Sequence, residues 1–191
     1  MKNLIFGLGL MALALPALAQ WELDNDQSSV NFISVKNTAI AETHSFATLI
    51  GFIGSDGNAS VTIDLNSVET LIPIRNERMR AMLFDTEKYP TATATAMVDP
   101  AVLEAVAEGG AVNTELTLKL SLHGVEQGIT APVMVFGDAA SLHVVSTRPV
   151  LLGAADYGLE AGVESLREVA GLANISTAVP VTINLLFRRA P

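Results

Sequence analysis

The chain has 191 residues, half of them hydrophobic and only 16% charged, which suits one folded domain and excludes intrinsic disorder. Twenty acidic against eleven basic residues give a net charge of −9, a poor match to a phosphate backbone, and ten aromatics in all are too few for a base-stacking platform. The absence of cysteine excludes disulfides, thiolate metal sites and cysteine nucleophiles.

The first segment reads as a leader. Lys2 supplies a positive start, Leu4 to Leu15 form an uncharged apolar run, Pro16 breaks it, and Ala17-Leu18-Ala19 is an Ala-x-Ala cleavage site before Gln20. The run is too short for a stable membrane span. Residues 1–19 are therefore expected to be a signal peptide and 20–191 the domain. Without Lys2 that domain is one unit more acidic than the full chain, and no later segment reads as a span. Export to the periplasm is the expected localisation.

Beyond the leader the dominant period is two, the mark of half-buried strands. Ser28 to Val35 is the first. His44, Phe46, Thr48, Ile50 and Phe52 form the next stripe. Ser55-Asp56-Gly57-Asn58 closes a hairpin into Val61, Ile63 and Leu65. Ile74 to Leu83 breaks the alternation and predicts a short helix with Met79, Met82 and Leu83 on its apolar side. Ala92 to Val98 is again strand-like. Asp99-Pro100 caps and opens a second helix, which stops at Gly109-Gly110. Leu116, Leu118, Leu120 and Leu122 alternate with Thr117, Lys119 and Ser121, then His123-Gly124 turns the chain. Ile129 to Phe136 and Leu142 to Thr147 are strands, 162–172 is a third helix, and Val181, Ile183, Leu185 and Phe187 make a final stripe. About eight locally connected strands with short helices predict an all-β fold, a closed antiparallel barrel. A barrel of that size either fills with side chains or holds one small ligand. Few inward positions carry charge, so a cavity there suits a long apolar molecule.

Several blocks resemble the YceI family. They are Trp21-Glu22-Leu23-Asp24 with Ser28-Ser29-Val30-Asn31-Phe32, then His44-Ser45-Phe46 to Gly51-Phe52 and Gly57. Next come Ile63-Asp64-Leu65, Ser67-Val68-Glu69-Thr70, and the run from Arg75 through Arg80, Leu83-Phe84-Asp85 and Tyr89-Pro90. Leu116 to Leu122 with His123-Gly124-Val125, and Asp156-Tyr157-Gly158-Leu159, complete the set. The chain departs from the family pattern at Gln27, at Arg78-Met79-Arg80-Ala81-Met82 and at Glu126, as a divergent branch would. The resemblance implies a lipocalin-like barrel whose long pocket holds a polyisoprenoid, an isoprenoid quinone or a fatty acid amide, with no other cofactor.

Candidate ligand-binding residues follow. Arg75, Arg78 and Arg80 are the dense basic cluster, and a guanidinium suits a polar head group at the barrel mouth; the alternative is pairing with Glu69, Glu77 or Asp85. Met79, Met82, Leu83 and Phe84 suit a pliable tunnel wall or simple core beneath the helix. Phe32, Phe46, Ile50, Phe52, Leu116, Leu118 and Leu120 are lining or packing positions. His44 is the polar candidate on their stripe. The three histidines lack metal-ligand spacing, so no metal is expected, and Ser28, Ser29, His44 and Asp24 lack a nucleophile elbow. A binding and carrier protein, with no catalytic residues, is the first reading. The alternatives are an enzyme using Asp64, Glu69 or His44 on a lipid held in the barrel, and a partner protein, as a homodimer or beside a membrane redox complex.

Overall fold

The computed structural model describes residues 21–190; the leader expected at 1–19 lies outside the described residues. Twelve strands, all paired antiparallel, make one closed sheet. In chain order they are β1 (Trp21–Leu23), β2 (Ser29–Lys36), β3 (Ile40–Phe46), β4 (Leu49–Ile53), β5 (Asn58–Asp64), β6 (Val68–Glu69), β7 (Thr91–Met97), β8 (Ala111–Leu122), β9 (Val125–Gly137), β10 (Ser141–Ser146), β11 (Val150–Gly153) and β12 (Ala178–Arg189).

They build eight staves, because β1 with β2, β3 with β4, β5 with β6, and β10 with β11 are single staves interrupted midway. The pairings show it: β12 holds β10 and β11 along one edge, and β1 and β2 along the other. The last stave thus pairs with the first and leaves no edge between them. The barrel is up-and-down and antiparallel, as the local connections predicted.

Three of the interruptions lie side by side. The Asn25 carboxamide accepts from Leu49 N–H (2.7 Å) and donates to Ala47 O (3.2 Å), while Ser67 Oγ accepts from Thr48 N–H (3.0 Å). Side chains here replace ladder bonds that the bend removes, so no backbone group is stranded. Each of these three interruptions also changes which parity of residue faces inward. Phe46 points in, yet three residues later Leu49 does too, and Ile53 after it; Leu49 and Ile53 are 3% and 2% exposed.

The turns carry the backbone signatures expected of them. His123 and Gly124 both have positive φ (52° and 78°), as a two-residue hairpin between β8 and β9 requires. Gly57 (φ 83°) closes the β4–β5 hairpin.

Helices cover the two ends. At the end where β4 meets β5 and β8 begins, α1 (Pro100–Ala107) plugs the barrel. Asp99 Oδ1 accepts from Ala101 N–H at 2.9 Å, Pro100 occupies the first turn, and Val106 is driven into the core to 1% exposure. The opposite end carries a helix at Pro73–Arg78 that widens into a π-helical stretch, Met79–Phe84, and α2 (Glu160–Val169) lying across it. Gly162 permits that crossing: a Cβ there would stand 2.6 Å from Met82 O and 2.8 Å from Leu83 Cα.

Candidate functional site

The barrel interior is hollow. A cavity of about 250 Å³ runs among Phe32, Phe46, Leu83, Phe84, Leu116, Leu118, Leu120 and the inward residues of most other staves, and its walls are almost entirely apolar. A second hollow of about 450 Å³ lies beneath α1, and the two share Ile53, Val98, Leu116 and Val144 in their walls. The space exists for a reason visible in β7. Its sequence, Thr-Ala-Thr-Ala-Thr-Ala, turns Ala92, Ala94 and Ala96 into the lumen, opposite the leucines of β8. A stave of methyl groups cannot fill the volume its neighbours enclose, and the surrounding sheet is too closely bonded to collapse onto it.

Seven of the fourteen candidate residues stand in this wall: Phe32, Phe46, Leu83, Phe84, Leu116, Leu118 and Leu120. The other seven do not. Ile50 and Phe52 face outward, 68% and 48% exposed, which corrects the reading of a single stripe from His44 to Phe52. The break at Ala47-Thr48 shifts the alternation by one, so Leu49, Gly51 and Ile53 take the inner face.

The methionines also sit elsewhere. Met79 is buried against Phe32, Leu65, Val68 and Phe84, outside the cavity wall, and Met82 is 37% exposed. The prediction assumed α-helical spacing through Leu83. The wider π turn rotates Met82 away from the side that carries Met79 and Phe84.

The three arginines do not act as one cluster. Arg75 Nη1 donates to Glu42 (2.8 Å), which also receives Lys36 Nζ (2.6 Å), and Arg75 Nη2 donates to Thr70 O (2.6 Å). The acid that Arg75 meets is thus Glu42 on β3, none of the three weighed from sequence. Arg80 donates to Asn66 O at 3.2 Å, and Arg78 forms no ion pair among the described residues. Lys36 and Arg75 together hold the Glu42 carboxyl below its ordinary range, the bond from Lys36 being the larger cause.

His44 lies beside this group and is 3% exposed. Its Nε2 is 2.8 Å from Ser34 Oγ, its ring is 5.1 Å from that of Phe32, and Nδ1 has no partner. Burial, helped by the Arg75 cation, pushes its pKa below the usual histidine value, so the ring is neutral near pH 7. It is behind the cavity wall, not part of it.

The groups an enzyme would need are committed elsewhere. Asp64 caps a turn through Asn66 N–H (2.9 Å), and Glu69 is held at the surface by the Asn76 carboxamide (3.2 Å). Asp24 pairs with Arg188 (2.6 Å) and Ser28 Oγ with the backbone of Leu186, so neither approaches His44. Among the described residues no set of three or more His, Asp or Glu converges as a metal site. No helix among them is long and apolar enough to cross a membrane.

Sequence reasoning missed most of the wall, including Ala92, Ala94, Ala96, Ile129, Leu152 and Val163. The alanines were legible as an alternation of small and β-branched residues. Leu152 lies on β11, a strand of only four residues that offered no periodic signal.

A family model described as the YceI-like domain matches residues 21–187. A polyisoprenoid-binding domain from Saccharophagus degradans, implicated in plant cell wall breakdown, is 43% identical; the alignment covers 91% of this chain and 99% of that one, with a TM-score of 0.86. BcnA of Burkholderia cenocepacia is similar in fold at 19% identity (86% and 98% covered, TM-score 0.66). The Campylobacter jejuni YCEI protein is similar at 16% (82% and 90% covered, TM-score 0.59). No curated protein matches the chain. A barrel of eight closed staves, an apolar lumen and a family match over nearly all the described residues place the chain in the YceI-like family.

Proposed function

We propose that this protein is an exported carrier that shelters the apolar chain of an amphiphile, a polyisoprenoid in the first instance, inside its barrel. The observation that carries the reading is the lumen itself: hollow, walled by aliphatic and phenyl side chains, and kept open by the alanines of β7. Each methylene withdrawn from water contributes about 0.8 kcal/mol, so a long tail gains many kcal/mol without any specific contact. Such binding needs no chemical step, and the protein is a binding protein rather than an enzyme. The 43% identical domain from Saccharophagus degradans binds polyisoprenoid, which supports the same class of ligand here; an acyl amide or an isoprenoid quinone satisfies the same wall.

The head group would rest at the end carrying Lys36, Glu42 and Arg75, where Arg78 and Arg80 form no ion pair among the described residues. The leader and the carrier role together support a periplasmic location, where a greasy molecule must cross water. A homodimer, the remaining partner expectation, would have outward-facing Ile50 and Phe52 as an apolar pair to bury, and light scattering that shows a monomer removes it.

The test is organic extraction of protein purified from cells, followed by mass spectrometry. A recurring long-chain lipid in stoichiometric amount is expected. Repeated recovery of none, together with no binding of added polyprenol, overturns the carrier reading.

A further inference from the structure

The helix-capped end of the barrel carries an apolar ridge that the described residues leave uncovered. Leu71, Ile72, Pro73 and Ile74 are consecutive apolar residues, and all are exposed. Leu71 is 87% exposed, more than any other large apolar side chain among the described residues. Its backbone is left-handed (φ 63°), a conformation that glycine or asparagine adopts at less cost. The loop is nonetheless firmly built. Thr70 N–H donates to the side-chain oxygen of buried Asn76 (2.9 Å), Asn76 Nδ2 and Leu71 N–H both donate to Glu69, and Arg75 Nη2 donates to Thr70 O (2.6 Å).

A leucine held outward at a strained position adds nothing to the core, and an exposed apolar run of this length is disfavoured unless it meets a partner. The residues beside the ridge say which partner. Ile74 and Arg78 lie four residues apart on one side of the helix. Arg78 and Arg80 form no ion pair among the described residues. Residues 71–80 hold three arginines against one acid, the exposed Glu77, in a chain of net charge −9. Exposed apolar side chains next to long cationic ones suit a lipid interface. The leucine and isoleucines enter among acyl chains, and the guanidinium groups meet anionic head groups. The same helix runs on into Leu83 and Phe84, which line the lumen.

We propose that the Leu71–Ile74 ridge docks the protein on the surface of an anionic lipid bilayer, with Leu71 as its main anchor and Arg78 and Arg80 at the lipid phosphates. The helix-capped end of the barrel then stands against the membrane. The purpose of docking rests on the carrier reading: a cargo sheltered from water inside the barrel is best exchanged where the barrel already touches a bilayer. The docking itself needs no cargo. One short ridge and two cations make a marginal anchor, so attachment is reversible, as a carrier that crosses water requires.

The experiment is flotation of the purified protein with two kinds of vesicle, phosphatidylcholine alone and phosphatidylcholine with phosphatidylglycerol in equal parts. Wild type, Leu71→Asn and Arg78→Gln are compared. Thermal melting, and displacement of N-phenylnaphthylamine by a polyprenol, accompany it. The wild type is expected to float with the mixed vesicles and much less with phosphatidylcholine alone. Leu71→Asn is expected to partition about tenfold more weakly, because one large apolar side chain leaves the interface. It is expected to melt at or above the wild-type temperature, because asparagine suits the left-handed backbone. Arg78→Gln is expected to lose about fivefold, with the mixed vesicles only. No flotation of the wild type with either vesicle overturns this inference, and the ridge then belongs to a protein partner. Equal flotation with both vesicles, undiminished flotation of Leu71→Asn, or a Leu71→Asn protein that melts lower than wild type also overturns it. Each of these leaves the chamber standing if polyprenol still displaces the dye. A wild type that floats as expected yet binds no polyprenol keeps the docking surface and overturns the carrier reading.

Discussion

Replacing Ala94 with phenylalanine puts a ring into the space that a ligand chain would occupy. Ala94 lies mid-stave on β7, pairs with Leu120 on β8 and presents only its methyl group to the cavity. The cavity holds about 250 Å³, so the ring enters a void rather than packed atoms, and the strain of overpacking, about 1–3 kcal/mol in a filled core, is largely avoided. The effect on binding is different. If the ring excludes three ligand carbons from the wall, about 2.4 kcal/mol is lost at about 0.8 kcal/mol each, which weakens Kd about fifty-fold. Titration of a fluorescent polyprenol analogue, with urea unfolding of the same samples, reads both quantities. Binding should fall by that order while the unfolding midpoint stays within about 1 kcal/mol of wild type or rises. Full affinity in a folded Ala94→Phe protein would show that the ligand does not use this lumen, and the reasoning fails.

Further expectations follow from the helix-capped end. His44 has a folded pKa below its unfolded value, so between the two the unfolded chain binds the extra proton and stability falls as pH drops through about 6.5. Urea midpoints measured from pH 7.5 to 5 should show that slope, and His44→Phe should flatten it; an unchanged slope removes His44 as its source. Glu42 is depressed in the opposite sense to a raised group: its contribution is present above about pH 4.5 and lost on further acidification. Glu42→Gln should cost about 1 kcal/mol at pH 7, a modest figure because all three charged side chains remain partly exposed, and high salt should shrink it. Gly162→Val should destabilise by about 1–3 kcal/mol, because its Cβ collides with backbone atoms of Met82 and Leu83, and the loss is read by thermal melting.

The barrel was legible because its long staves alternate cleanly. β8 carries its leucines on one face, and such a face must be buried; β12 alternates likewise from Val179 to Ile183 before Leu185, Leu186 and Phe187 are buried in succession. The interruptions were not legible. Ala47-Thr48 contains no glycine or proline, and what makes it a break is a pair of distant side chains, Asn25 and Ser67, that satisfy its backbone. A local pattern cannot show that, so Ile50 and Phe52 were placed inside when they face outward. β1 escaped for a related reason. Three residues hold no period, yet they pair with both β4 and β12 and help seal the barrel. The helix at Pro73–Arg78 was found, but its widening into π geometry moved Met82 outward. The Arg75–Glu42 pair spans two elements far apart in sequence, and only the fold brings them together.

The central claim is that the space inside the staves receives a ligand's chain. The most direct measurement is a crystal structure of the protein grown with a polyprenol. The account predicts continuous tubular density passing the alanines of β7 and the leucines of β8. A lumen closed by its own side chains, or a polyprenol seated on the outer face of the sheet, would contradict it.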